Sequence, residues 1–232
     1  MDTSLIPALG LGFVLGLRHA LDPDHVAAMS TLISQERGVL RSCLRGTVWG
    51  IGHTTALLAA GVAVLAFKLR IPPAIERGTE VLVALVLIGL GGHVLFRTLG
   101  AIRLHRHHHT HGGTAHSHVH VHIGDGGEHR HLHLWRTVPQ PLLMGLLHGL
   151  AGSGALILLV LATLPSPTAA ILYVLVFGLG STAGMLVLSG LIGVPFALAV
   201  GGSRPVAAAL QLVVGAATIL VGGLMLRGVL TG

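Results

Sequence analysis

Arg18-His19-Ala20-Leu21-Asp22-Pro23-Asp24-His25 gathers two imidazoles, two carboxylates and a guanidinium into eight residues, between the apolar stretches Leu5–Leu17 and Val26–Ile33. Ionisable groups at membrane depth are costly, and by default they mark an ion or substrate path. The rest of the chain supplies the membrane setting. Hydrophobic residues make up 52% and charged residues 9% of the 232, with a mean hydropathy of +0.83. A soluble domain carries about 25% charged residues. Several apolar runs reach the roughly 20 residues that cross about 30 Å of hydrocarbon. The composition therefore gives an all-α polytopic membrane protein.

Six spans are expected, at about 5–34, 46–67, 80–103, 139–164, 168–194 and 206–230. The first is too long for one straight crossing. Asp22-Pro23 is a helix-start signal, with Asp as N-cap and Pro at the first helical position. The reading is a half-helix to about Leu17, a break, and a second half-helix from Pro23. The N-terminus, Met1-Asp2-Thr3-Ser4, lacks the basic region of a signal peptide, so the first span is expected to be retained.

The basic residues sort by side. Arg37, Arg41, Arg45, Arg97, Arg103, Arg106, Arg130, Arg136 and Arg204 fall in one set of connections, and Lys68, Arg70, Arg77 and Arg227 in the other. Nine against four puts the first set in the cytoplasm and both termini outside. The net charge of +6 is thus topology rather than nucleic-acid binding. The 34 glycines fit helices packed closely in lipid. A single cysteine, Cys43, excludes an internal disulfide.

Residues 105–133 hold twelve of the seventeen histidines. The density of imidazole makes His107, His109, His111, His116, His118, His120 and His122 auxiliary metal-binding candidates, in low-complexity sequence that cannot build a core. Its internal position and irregular spacing speak against an expression tag.

The chain also matches itself. Gly16-Leu17-Arg18-His19-Ala20-Leu21 aligns with Gly145-Leu146-Leu147-His148-Gly149-Leu150, Gly50-Ile51-Gly52-His53-Thr54 with Gly178-Leu179-Gly180-Ser181-Thr182, and Gly92–Arg97 with Gly222–Arg227, at offsets of 129, 128 and 130. Three spans per half is odd, so the halves must be inverted, as in many secondary transporters. This divides the chain into a first three-helix repeat at 1–104, the His-rich loop at 105–138, and a second repeat at 139–232. Asp22, Asp24, His25 and His53 have Ala151, Ser153, Gly154 and Ser181 as counterparts, so one site built mainly by the first half is expected.

Imidazole with carboxylate suits zinc, copper, iron, nickel or cobalt rather than magnesium or calcium. On an unbroken helix His19 would point about 140° from Asp24 and about 120° from His25. A break at Asp22-Pro23 lets His19 fold back toward both and frees backbone carbonyls to help hold a cation. Asp22 is assigned to capping and to pairing with Arg18, and Asp24 is the better ligand. His148, aligned with His19, and His93, in a Gly-Gly-His context, are further candidates. Met144 and Met185 read as packing residues, and Arg97, Arg103, Arg204 and Arg227 as interfacial anchors.

His19-x4-Asp24-His25 resembles the signature of the nickel/cobalt transporter family of bacterial permeases, and Gly52-His53-Thr54-Thr55 resembles that family's Gly-His-Ser/Thr element in the following span. The resemblance implies His19, Asp24, His25 and His53 as metal ligands. The family's later acidic motif is absent. His148-Gly149-Leu150-Ala151-Gly152-Ser153-Gly154-Ala155 stands there instead, similar to small urease-associated relatives. The implied function is a permease of the bacterial cell (inner) membrane that brings Ni2+, with Co2+ as a second substrate, into the cytoplasm, where nickel chaperones are the expected partners. The metal is cargo and no prosthetic group is expected. The rivals are efflux of the same ions, an accessory protein that hands nickel to urease or hydrogenase, and a zinc enzyme. The last lacks a spare general base apart from Asp22 once Asp24 is a ligand.

Overall fold

The computed structural model of the chain describes residues 5–67, 72–111, 114–123, 139–151, 164 and 166–231. Seven helices occur among them: α1 (Leu5–His19), α2 (Pro23–Ile33), α3 (Val39–Phe67), α4 (Pro73–Ala101), α5 (Pro139–Leu150), α6 (Pro167–Gly202) and α7 (Arg204–Thr231). Between α4 and α5 the backbone of Ile102–His111 (β1) pairs antiparallel with Thr114–Ile123 (β2), Ile102 opposite Ile123 and His111 opposite Thr114. The sequence led to an all-α expectation with a low-complexity loop here, and no strand. Its alternating pattern is nevertheless the period of a strand, and a two-stranded ribbon needs no core of its own to form backbone pairs.

Helices α3, α4, α6 and α7 are each long and apolar enough to cross a bilayer, with mean hydropathies of 1.7 to 2.2 over an 18-residue window. Helices satisfy their backbone groups internally, which lipid demands. The first expected span is α1 and α2, bent by 55° at the expected break. The protein is a multi-pass membrane protein. Of the fourth expected span, α5 is its described part, and 152–163 lie outside the described residues, as do Lys68 and Arg70. Three boundaries differ from expectation, the first being helix α4, which begins at Pro73 rather than near 80, so Arg77 is helical. Helix α3 begins at Val39 rather than near 46, so Arg41 and Arg45 are helical. Helix α6 continues through Pro195 to Gly202, reducing the expected loop 195–205 to Ser203. A proline removes one ladder hydrogen bond, a cost that an otherwise apolar helix in lipid can absorb.

The helices cross where glycine removes the side chain. A Cβ on Gly16 would strike the Phe177 carbonyl and approach the Ser181 amide, and one on Gly145 would strike the Trp49 carbonyl and approach the His53 amide. Gly52 lies against Leu142 and Leu146, and Gly180 against Phe13 and Leu17. These contacts interchange when 129 is added in the first helix of each set (145 − 16) and 128 in the second (177 − 49). Thr54 and Thr182, 128 apart in sequence, meet each other with hydroxyls 3.2 Å apart. In the last helices Gly91 meets Gly215 and Gly222 meets Ala84, which interchange at 131 (222 − 91) rather than the 130 read from sequence. At 131 the pair Gly91-Gly92 falls on Gly222-Gly223.

The short α2 is held by a polar seam. Thr31 and Thr218 hydroxyls lie 2.7 Å apart, Thr218 donates to the Ala27 carbonyl (3.1 Å), and Gln211 donates to the Ser34 carbonyl (3.0 Å). Such interhelical bonds replace water in lipid. Arg45 pins the turn after α2 through Glu36 (2.6 Å) and the Leu32 carbonyl (3.0 Å). Met29, Ile33, Trp49, Leu87, Met144 and Met185 pack as the apolar core beside α2, so both methionines are packing residues.

Candidate metal site

The site is built at the end of α1. The last α-type bond there is Ala20 N–H to the Gly16 carbonyl (3.3 Å). The chain then tightens, with Leu21 donating to Arg18 (2.9 Å) and Asp22 to His19 (3.1 Å). Asp22 is extended (φ −61°, ψ 141°), Pro23 opens α2, and Val26 N–H bonds the Asp22 carbonyl at 3.0 Å. Pro23 donates no N–H to the His19 carbonyl, and with Asp22 extended before it the proline opens a new helix rather than continuing α1. The result folds His19 onto His25, their ring centroids 4.6 Å apart.

Helix α3 contributes Trp49 and His53 from one face, four residues apart. His53 Nε2 lies 3.2 Å from His19 Nε2, and Trp49 stacks on His25 with centroids 5.7 Å apart and planes at 5°. Helix α5 contributes His148, whose ring centroid is 5.3 Å from that of His25 and whose Nε2 is 4.0 Å from Asp24 Oδ2. The Gly145 approach to Trp49 and that of Gly149 to His53 let α5 lie close enough for this. His25, His53 and His148 are buried.

The carboxylates set which imidazole nitrogens are free. His19 Nδ1 lies 2.7 Å from Asp22 Oδ2, and His25 Nδ1 lies 3.1 Å from Asp24 Oδ1. A carboxylate only accepts, so each Nδ1 is the donor and Nε2 is left with its lone pair. This is how metal-binding imidazoles are usually oriented. His25 Nε2, His53 Nδ1 and His148 Nε2 are buried with no hydrogen-bond partner. Unpartnered buried polar atoms are rare enough to ask for an explanation.

One ligand atom each from His19, His25 and His53 lies within 4.8 Å of the others. Two nitrogens on one ion at about 2.1 Å are at most about 4.2 Å apart, so the three rings must draw together to share one. The 3.2 Å between His19 and His53 already corresponds to ligands at roughly 100° on such an ion. Asp22, Asp24 and His25 form a second such group.

Three expectations are revised. Arg18 is exposed, and no ion pair joins it to Asp22 or Asp24. His19 takes the place beside Asp22 that was given to Arg18. Asp22 occupies the N-cap position, but its side chain makes no cap hydrogen bond. It holds His19 instead. His93 is exposed on α4 and does not join the described cluster. Arg97 donates to Gln35 at 3.1 Å. Trp49 went unremarked in the sequence reading, although its position four residues before His53 places it on the same helical face. The side chains of the auxiliary histidines at 107–122 lie outside what the structure describes.

The model of one family, described as "high-affinity nickel-transport protein", matches residues 5–227, covering every residue of the site. This chain belongs to that family. A protein named urease accessory protein UreH, from Bacillus sp. (strain TB-90), is 36% identical over 199 residues, covering 85% of this chain and 81% of that protein. No solved structure matches.

Proposed function

We propose that this chain is a nickel permease whose ion is stripped of water by His19, His25 and His53, with Asp24 supplying negative charge, between the broken first crossing and α3. The observation that carries the reading is the convergence of three imidazoles from α1, α2 and α3, with His25 Nε2 and His53 Nδ1 buried and without a hydrogen-bond partner, in a family of nickel-transport proteins. Imidazole favours Ni2+ and Co2+ over Mg2+ and Ca2+. We take uptake into the cytoplasm as the direction, across a bacterial cell (inner) membrane. The interchange of Gly16 with Gly145 contacts, and of Gly52 with Gly180, supports two three-helix repeats related by a two-fold axis. The repeats would be 1–104 and 139–232, with the His-rich segment 105–138 between them on the cytoplasmic side.

The decisive experiment is 63Ni2+ uptake into proteoliposomes by wild type and His19→Ala, with cobalt, zinc and manganese as competitors. Wild type accumulates nickel, cobalt competes, manganese does not, and His19→Ala loses uptake. Undiminished flux in His19→Ala sinks the proposal, and loss of preloaded nickel from cells expressing the protein makes it an exporter.

The name of the UreH relative favours a second reading, an accessory that delivers nickel to an enzyme such as urease without moving it across lipid. In that case deleting 105–133 abolishes function while His19→Ala does not. The permease reading predicts the reverse.

A further inference from the structure

Resting on the permease reading, we propose a second, deeper position for the same divalent ion, made by Asp24, His25 and His148 and walled by Trp49, so that the ion passes inward from His19 and His53 through His25.

His148 carries the argument. Its Nδ1 lies 3.2 Å from the Met144 carbonyl one turn back in α5. A carbonyl only accepts, so Nδ1 bears the hydrogen and Nε2 presents its lone pair. That nitrogen is buried, has no hydrogen-bond partner, and faces Asp24 Oδ2 across 4.0 Å. Two acceptors that face each other with one of them fully buried favour a cation between them. The gap is close to twice an ordinary metal–ligand bond of about 2.0–2.2 Å, so one ion fits between them. His25 completes the set. Its Nε2 is also free, and its ring stands 5.3 Å from that of His148 and 5.2 Å from that of His53. Both positions draw on His25, so they are alternative seats for one ion.

Exposure marks Asp22 and His19 as the entry end. Side-chain exposure is 49% at Asp22, 28% at His19 and 25% at Asp24, against 4% at His25 and 1% at His148, and His53 is as buried as His148. An ion reaching Asp22 and His19 first then meets drier ligands. Two adjacent seats with a shared ligand suit transport, because binding must be strong enough to enter and weak enough to leave. His148 is also the counterpart of His19 under the 129 offset, so the first helix of each half brings one imidazole to His25.

The test uses the full-length protein in detergent with Trp135→Phe, which leaves Trp49 as the one tryptophan. Co2+ quenching of Trp49 is titrated, and nickel uptake into liposomes is measured in parallel. Removing the outer position with His19→Ala/His53→Ala should leave weaker, saturable quenching that adding His148→Ala abolishes. His148→Ala alone should keep quenching with near wild-type affinity while slowing uptake by about tenfold or more. His148→Gln can still donate to the Met144 carbonyl and guards against misfolding; it should be slow as well. Equal titrations for the double and triple variants, or wild-type uptake by His148→Ala or His148→Gln, overturn the deeper position. Failure of the permease reading has a different signature, namely wild-type uptake by the His19→Ala/His53→Ala variant itself. A proton as the natural occupant would leave the double variant blind to Co2+.

Discussion

Asp22 and His19 form the pair on which access to the site turns. With Nδ1 held by the carboxylate at 2.7 Å, His19 can offer only Nε2, and its ring cannot rotate away without breaking a charge-assisted bond. Asp22→Asn keeps a good N-cap residue at the start of α2, so the fold should survive. The amide no longer fixes the tautomer, and nickel affinity should drop about 10–100-fold, as for other partners that orient metal ligands. Half-saturation of uptake reads this directly, and an unchanged value would make Asp22 a bystander. The sign of the pH effect follows from the ligand set. Imidazole binds metal only unprotonated, so protons compete, and uptake should fall as the medium is acidified. Uptake that stays unchanged on acidification for as long as the protein remains folded would require other ligands. Of these residues, His19, Asp24, His25 and His53 stood out in the sequence as charge in apolar surroundings. What Asp22 does was not legible, because capping and holding His19 make the same demand on residue type at that position.

The bend between α1 and α2 is the element on which everything else depends, and it was the most legible part of the fold. A proline preceded by a capping residue inside an apolar run has few other outcomes. Pro23→Ala restores an N–H and lets the helix run on, which would carry His19 about 120° away from His25. Nickel uptake should then fall as far as in His19→Ala while the protein still inserts; full retention would show that the turn at Ala20–Asp22 bends without its proline. The α3–α5 crossing makes a second claim at this scale. Gly145→Ala drives a methyl into the Trp49 carbonyl, whereas Gly10→Ala meets nothing within 4 Å. Overpacking of this kind costs about 1–3 kcal/mol, so the melting temperature in detergent should fall for the first and not the second. The run of α6 through Pro195 was not legible, since a proline stops a helix in most settings and only its apolar surroundings here permit it to continue.

For the whole molecule, the consequence lies in the unequal chemistry of two halves whose glycines pack reciprocally. The self-match in sequence foreshadowed the exchange of contacts, and it missed the register of the last helices by one, because Gly/Leu-rich sequence aligns almost equally well at neighbouring offsets. Asp22, Asp24 and His53 have no ionisable counterparts in the second half. The site therefore belongs to the helices, and the histidines of 105–133 are expected to act on the ion only after it has crossed. Replacing 105–133 by a Gly/Ser linker of equal length, which stays flexible and keeps the reach between α4 and α5, should leave the initial rate of nickel uptake unchanged. The number of nickel ions retained per chain should fall, read by equilibrium dialysis of the purified protein. The two readouts must separate. Loss of the initial rate along with the stored metal would mean that the His-rich segment lies on the path itself, and the broken first crossing could then no longer account for transport alone.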